Sequence, residues 1–450
     1  MLNNPSFIRG LTGIRRVQAS FLIARRYQGF SFNKVLGIFI WGMVLSWVLP
    51  VQASELQLQD LIKEALNRNP EILASQFLVK ASEHKIPQAL SLPDPMFMTG
   101  YQNEGFSGYK YGESPDAQWM FSVSQMFPFY GKRDLKAEMA SRDSDSLKAS
   151  LEGQRLKLIA RVKELYFDLF LAYKDREIVQ ARADLFSRVE EAALARYASG
   201  LGQQQEVLMA QTEKTMLLEK EEMLNQKIEA IEGMINTSLG REVRSFLGRP
   251  AERSVTPFPH DLEELLKRVK EDSPDLKSKE KMVQSAESKI RMAVKEYYPD
   301  ITLNAGYFKR GGEFEDMWNL TATVNIPIFY RSKQRQGVLE AKALGSQAKE
   351  EMAATQNMLA SSLRENYSMM KTGEKLMELY QQGLIPKAQQ DFRLALSGYG
   401  TGKVEALTVI SRLKTFLDVE LLYWGQRVER EKAIARLEAL AGIKDPALMP

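Results

Sequence analysis

The side chains that most often do chemistry are scarce in this chain. There are two histidines, His84 and His260, and no cysteine among 450 residues. Neither histidine has ligand-type residues clustered beside it. No nucleophile elbow, metal-ligand spacing or phosphate-binding glycine loop is present. Two histidines leave little for general-base work, so hydrolysis is a poor fit, and the chain reads as a non-enzyme needing no cofactor. Without cysteine there are no disulfides or thiolate metal sites, and no lipid on an N-terminal cysteine. Methionine is plentiful at 20. Met96 and Met98, or Met369 and Met370, would suit a soft cation such as Cu(I), although thioethers more often fill irregular helix seams. The remaining places equipped for chemistry are two Tyr-Gly turns with charged residues after them. The first runs through Tyr197 and Gly200 to Glu206, the second through Tyr399 and Gly402 to Lys403 and Glu405.

Those turns belong to a larger repetition with an offset of about 200 residues. LIKEALNRNP at 61–70 is echoed by LLKRVKEDSP at 265–274. A Pro-Asp pair follows in each half, Pro93-Asp94 and Pro299-Asp300. Next comes alternating polarity closed by an aromatic-proline signal, MFPFY at 126–130 and IPIFY at 326–330. Duplication at this scale means one structural unit built twice. The reading is a first repeat over 54–255 and a second over 256–445, each a helix, two strands and a long helical hairpin.

Residues 1–53 hold six basic residues and no acid, followed by an apolar run at 35–49 and Val51-Gln52-Ala53. This reads as a cleaved secretory signal peptide. A membrane anchor is the alternative, but the run is shorter than the ~20 residues a spanning helix needs. The chain carries +4 overall. Removing the leader leaves 4 − 6 = −2, so the basic balance belongs to the leader and not to a nucleic-acid surface.

The elements that position the turns have two periodicities. Over 132–199 there is no proline, and Ile159, Val162, Tyr166, Leu169 and Tyr173 recur at coiled-coil spacing. The second half repeats this over 332–397, where Gly345, Gly373, Gly383 and Pro386 predict a less straight helix. Shorter partners are predicted over 205–239 and 404–440. Gly200 and Gly202, and Gly400 and Gly402, are expected to turn the two hairpins. Single leading helices are predicted over 57–90 and 261–297.

Between leading helix and hairpin the period switches to two. Ala117, Trp119, Phe121 and Val123 alternate with Gln118, Ser122 and Ser124, with Met120 breaking the pattern. Ile301, Leu303, Ala305 and Tyr307 alternate with Thr302, Asn304 and Gly306. Leu320, Ala322, Val324 and Ile326 alternate with Asn319, Thr321, Thr323 and Asn325, and 95–102 is a weaker fourth strand. An apolar face, a small polar face and aromatics near the strand ends suit a transmembrane barrel. A soluble sheet with one wet face is the alternative. Four strands leave two open edges, which hydrocarbon does not tolerate. Strands that span a bilayer must therefore be pooled by several chains into 8 or 12.

With both halves in view, the chain resembles the TolC-type outer-membrane efflux proteins over 55–445. The motifs are LPDP at 92–95, QMFPFYGKR at 125–133, RYASGLGQQQEVLMA at 196–210 and YGTGKVEAL at 399–407. QMFPFYGKR and GKVEAL are more similar to the heavy-metal efflux branch, whose members are often lipoproteins; this cysteine-free chain departs there. The resemblance implies a mainly α fold with a small β part. It implies a homotrimer, with four strands per chain forming a 12-stranded β-barrel continuous with a periplasmic α-barrel of coiled-coil hairpins. It implies a passive outer-membrane channel reaching into the periplasm, set in outer-membrane lipid and served by a periplasmic adaptor and an inner-membrane pump. A type I secretion duct, or a pore-less structural coiled coil of the envelope, are the alternatives.

In such proteins acidic residues after the second turn line the periplasmic constriction. Carried over by motif, the gate candidates are Glu405, with Tyr399 and Lys403 as links, and Glu206 as the first-half equivalent. Thr408 stands where some members carry a second acid. One Glu405 per chain would give three carboxylates around a three-fold axis, a ring that favours cations. The plainer reading of Glu405 and Glu206 is an ordinary solvated carboxylate on a helix surface.

Overall fold

The computed structural model describes residues 55–443, so the expected signal peptide at 1–53 lies outside the described residues. Ten helical segments and four strands follow one another along the described chain. In order they are α1 (Leu58–Arg68), α2 (Pro70–Leu90), β1 (Met96–Gln102), β2 (Gln118–Phe127), α3 (Lys132–Ala198), α4 (Gln204–Leu239), α5 (Leu262–Asp272), α6 (Pro274–Lys295), β3 (Ile301–Arg310), β4 (Met317–Val324), α7 (Gln334–Glu378), a π-helical turn (Leu379–Leu384), α8 (Ile385–Gly400) and α9 (Ala406–Leu440). The fold is mainly helical with one small sheet.

The leading helices are two each, not one. Proline lacks the N–H that a continuing helix needs and clashes with the preceding turn, but it is well placed at a first helical position. Pro70 and Pro274 sit at the starts of α2 and α6. Asn69 caps α2, its side-chain oxygen accepting from the Glu71 and Ile72 amides at 2.8 and 3.1 Å. The Asn69 amide group also donates to the Ser238 carbonyl, which ties this break to the end of α4.

The expected long helix of the first half is α3, 67 residues, which spans about 100 Å at 1.5 Å per residue. It packs against α2, α4, α6 and α9. Val162, Tyr166 and Leu169 are buried, while Ile159 and Tyr173 pack against the same core. The Tyr166 hydroxyl donates to the Leu56 and Ala251 carbonyls, joining α3 to both chain segments that cross it. The second-half counterpart is interrupted. Pro386 follows the π-helical turn at 379–384. The wider turn accommodates a ring that would otherwise meet the carbonyl four residues back.

The strands form one antiparallel sheet in the order β1-β2-β3-β4, so β1 and β4 are its edges. Pairing puts Phe97 opposite Val123, Val123 opposite Ala305 and Ala305 opposite Leu320. Alternation then gathers Phe97, Trp119, Phe121, Leu303, Tyr307, Trp318 and Leu320 on one face. The other face carries Ser122, Ser124, Thr302, Asn304, Thr321 and Thr323. Met120, which broke the sequence pattern, lies on this second face opposite Gly100, its methyl 3.5 Å from where a Cβ would stand. Trp318 is 79% exposed and every residue of β4 is open to its surroundings.

The step from sheet to helix is made by ions. Lys132, at the start of α3, is almost wholly buried and lies 2.9 Å from Asp300 and 3.5 Å from Glu296. Asp300 also accepts from the Phe129 amide at 2.7 Å. An opposite charge this close is what allows a buried ammonium to persist.

Asp175 of α3 is less well served. Its Oδ1 is buried without a partner. Burial pushes its carboxyl up to about 6, only partly offset by Lys227 and Lys220. A raised folded pKa means the chain is relatively more stable at low pH and loses that advantage as pH rises through about 6. Asp175→Asn is therefore expected to raise the apparent melting temperature in detergent at pH 8, by the equivalent of about 1–2 kcal/mol after allowance for solvent screening. The gain should vanish near pH 4; equal gains at both values would rule out the ionised carboxylate as the cause.

Candidate functional site at the hairpin tips

Each hairpin reverses through the same backbone device. After α3, the Leu201 amide donates to the Arg196 carbonyl and the Gly200 amide to the Tyr197 carbonyl. After α8, the Lys403 amide donates to Gly398 and the Gly402 amide to Tyr399. Gly200 and Gly402 hold φ at +74° and +77°, the left-handed conformation in which glycine carries no Cβ penalty. Gly202 serves differently: a Cβ there would stand 3.0 Å from the Arg196 Cβ. Gly400 ends α8 with open space around it. Gly398, which begins the second turn, is also confined: a Cβ there would meet Val404 at 2.5 Å.

These bonds fix the correspondence of the two turns: Tyr197 with Tyr399, Gly200 with Gly402, and Gln203 with Glu405. Gln203 and Glu405 both occupy the residue before a helix, α4 and α9 respectively. Glu206 lies one turn into α4 and corresponds to Thr408. The expectation that Glu206 is the first-half equivalent of Glu405 is therefore corrected. It rested on the nearest acid after the turn, whereas the backbone counts from the left-handed glycine.

The structure brings three side chains together from both tips. Tyr399 is 1% exposed. Its hydroxyl donates to the Glu206 carboxylate at 3.0 Å. The Arg196 guanidinium lies 4.8 Å from the Tyr399 ring centre and donates to the Tyr399 carbonyl at 2.9 Å and the Leu201 carbonyl at 3.1 Å. Burial, then the bond to Glu206, pushes the Tyr399 hydroxyl up to about 12. Beneath the trio lies an apolar cluster that includes Val189, Ala193, Val207, Phe392 and Val409. The trio thus joins the second turn to the first within one chain. Arg196 was missed as a site residue because its partner is 203 positions away; the only sequence signal is a cation in the last helical turn before a Tyr-Gly reversal.

Lys403 and Glu405 are exposed at the second turn. Among the described residues neither side chain has a hydrogen-bond or ionic partner, so Tyr399 and Lys403 are not brought together as a link. His260 pairs with Glu264 at 3.1 Å, and His84 is exposed on α2. Among the described residues no group of three or more potential ligands could hold a metal ion. Met370 is fully buried among Leu359 and Leu363, a packing position.

Tyr399→Phe keeps the ring and removes one bond to a carboxylate, worth about 1.5–3 kcal/mol. The expected result is faster amide exchange at the two turns with the rest of the chain unchanged. The wild type should also lose stability as pH rises from about 10 towards about 12, because the unfolded tyrosine ionises first; the Phe variant should lose less. Identical alkaline profiles would remove Tyr399 as the cause.

Residues 61–230 and 265–443 match the outer membrane efflux protein family. The cobalt-zinc-cadmium resistance protein CzcC of Cupriavidus metallidurans is 22% identical over 399 residues, covering 87% of this chain and 91% of its own. Two solved structures share the fold. The outer-membrane channel OprN superposes with a TM-score of 0.74 at 16% identity, over 86% of this chain and 89% of its own. The outer membrane protein VceC of Vibrio cholerae gives 0.73 at 18% identity, over 86% and 96%. The two matched stretches follow the two halves of the repeat and take in the sheet and both hairpin turns. The chain belongs to the outer membrane efflux protein family.

Proposed function

We propose that three copies of this chain pool their strands into a 12-stranded barrel in the outer membrane, continuous with an α-barrel of helical hairpins in the periplasm. The tube passively conducts substrate delivered by an inner-membrane pump through a periplasmic adaptor. It performs no reaction. Residues 1–53 serve as its export signal, and 54–255 and 256–445 are its two repeats. The observation that carries this reading is the sheet: four strands in linear order, with one face built of apolar and aromatic residues, the other mixing Ser, Thr and Asn with methionines, and both edge strands without a neighbour among the described residues. No helix among the described residues is long and apolar enough to cross a membrane, so the strands are the part suited to a bilayer.

At the periplasmic end Glu405 is the residue proposed to set ion preference. Its exposure at the second turn and its lack of a partner among the described residues support this, since a ring of solvated carboxylates attracts cations. Tyr399 and Glu206, with Arg196, hold the two turns of each chain together. Lys403 is left free to pair across chains. Likeness to CzcC over most of the chain makes divalent metal cations the first cargo to test.

Purified protein in planar bilayers is expected to give stable cation-selective channels, with selectivity weakened in Glu405→Ala. An unchanged variant would move the constriction away from Glu405. Folded oligomer that never conducts would sink the channel and leave a structural coiled coil. In cells, deletion should increase sensitivity to cobalt, zinc or cadmium salts. Unaltered metal tolerance alongside a lost secreted protein would favour a secretion duct instead.

A further inference from the structure

The repeat can be followed strand by strand. In the first hairpin Tyr101 pairs with Trp119 and Gly100 with Met120; in the second Tyr307 pairs with Trp318 and Gly306 with Asn319. So β1 corresponds to β3 and β2 to β4, residue for residue. The seam between repeats, β2 against β3, is seen within the chain, with Phe127 opposite Ile301, Val123 opposite Ala305 and Phe121 opposite Tyr307. The equivalent seam would join β4 to β1. Those two strands are the sheet's opposite edges, so a second chain must supply one of them.

We infer that β4 pairs antiparallel with β1 of a second copy of this chain in one definite register: Val324 opposite Phe97, Ala322 opposite Thr99 and Leu320 opposite Tyr101. The register is the β2/β3 pairing moved through the repeat. It keeps Phe97, Tyr101, Leu320 and Val324 on the common apolar face, as a slip of one residue would not. The inference rests on the pooled-barrel reading and gives that reading its interface.

A second observation points to the same seam. Within the chain, Asp300 precedes β3 and takes the Phe129 amide and Lys132 at the end of β2. Its repeat partner is Asp94, which precedes β1, is exposed and pairs with nothing among the described residues. The counterpart of Phe129 is Phe329, since the Lys132 amide donates to one carbonyl and the Ser332 amide to the other. The Phe329 amide has no acceptor among the described residues. Ser332 takes the place of Lys132, with Arg331 and Lys333 on either side, neither paired to a carboxylate. Asp94 of the second copy fits this vacant arrangement of one amide and two cations.

The absence of cysteine makes the register directly testable. Val123→Cys with Ala305→Cys is the internal control and should close within one chain. Thr99→Cys with Ala322→Cys sits at the equivalent place and should give covalent dimers and trimers on oxidation in outer-membrane fractions. Directly opposed Cβ atoms lie about 4.5–5.5 Å apart. Phe97→Cys with Leu320→Cys is out of register by about 13 Å and should stay monomeric on a denaturing gel. Asp94→Lys should lower the dissociation temperature of the oligomer, with recovery when Arg331→Glu and Lys333→Glu are added. Crosslinking of the Phe97/Leu320 pair, or of neither pair in an oligomer that conducts, would overturn the register and leave the channel standing. Folded protein that remains monomeric in the membrane would overturn both.

Discussion

Each strand edge carries a row of backbone donors and acceptors, and hydrocarbon offers nothing in return. An unpaired peptide group in that setting costs several kcal/mol, so a sheet placed there must close on itself. Four strands of 7 to 10 residues cannot do so in linear order. In the proposed assembly each copy contributes a third of the wall, and the helices continue that wall where water again permits open backbone.

The change from sheet to helix is the costly place in such a design. The chain must leave the pleat, reverse its polarity pattern and start a helix without stranding backbone groups. Asp300 answers this by accepting an amide from the end of one strand, holding a nearly buried ammonium at the first position of α3, and leading directly into β3. Taking away Asp300 would leave Lys132 buried and short of charge, which costs far more than an exposed pair is worth. The Pro-Asp pair visible in both halves of the sequence is therefore a structural joint. Its second occurrence is complete within one chain, while its first, at Asp94, is exposed and finds no partner among the described residues.

Most of this architecture is legible in the sequence because the periodicities are long and clean. The 67-residue helix, the alternating strands and the two glycine turns stand nearly where spacing places them. What was misread involves competition between local rules. The pattern over 57–90 is continuously helical in polarity, yet Asn69 and Pro70 offer a cap and a stop in the middle of it. Pro386 was read as a bend, but polarity alone does not say that a π-helical turn absorbs it. Arg196 could not be assigned because nothing in its surroundings names Tyr399. Glu206 was matched to the wrong residue for a similar reason: acids are easy to see, but the helix start is set by the glycine with positive φ.

The departures from the repeat that bear on the site are those at the hairpin tips. In the strands Gly100 answers Gly306, Tyr101 answers Tyr307 and Trp119 answers Trp318, as the proposed barrel would require, since lipid would impose the same demand on every part of its wall. At the tips Arg196 is answered by Gly398, Gly202 by Val404 and Glu206 by Thr408. Tyr399 is buried under Arg196, while its counterpart Tyr197 is 46% exposed. Identical tips would meet only as equals, with no means for one to lean on the other. Unequal tips allow the second to rest on the first inside one chain through a bond that holds whatever the neighbours do. Tyr197, Leu201, Lys403 and Glu405 are among the side chains left exposed at the tips. In the proposed trimer a change of state at this end would therefore break contacts between chains before it breaks the contact within one.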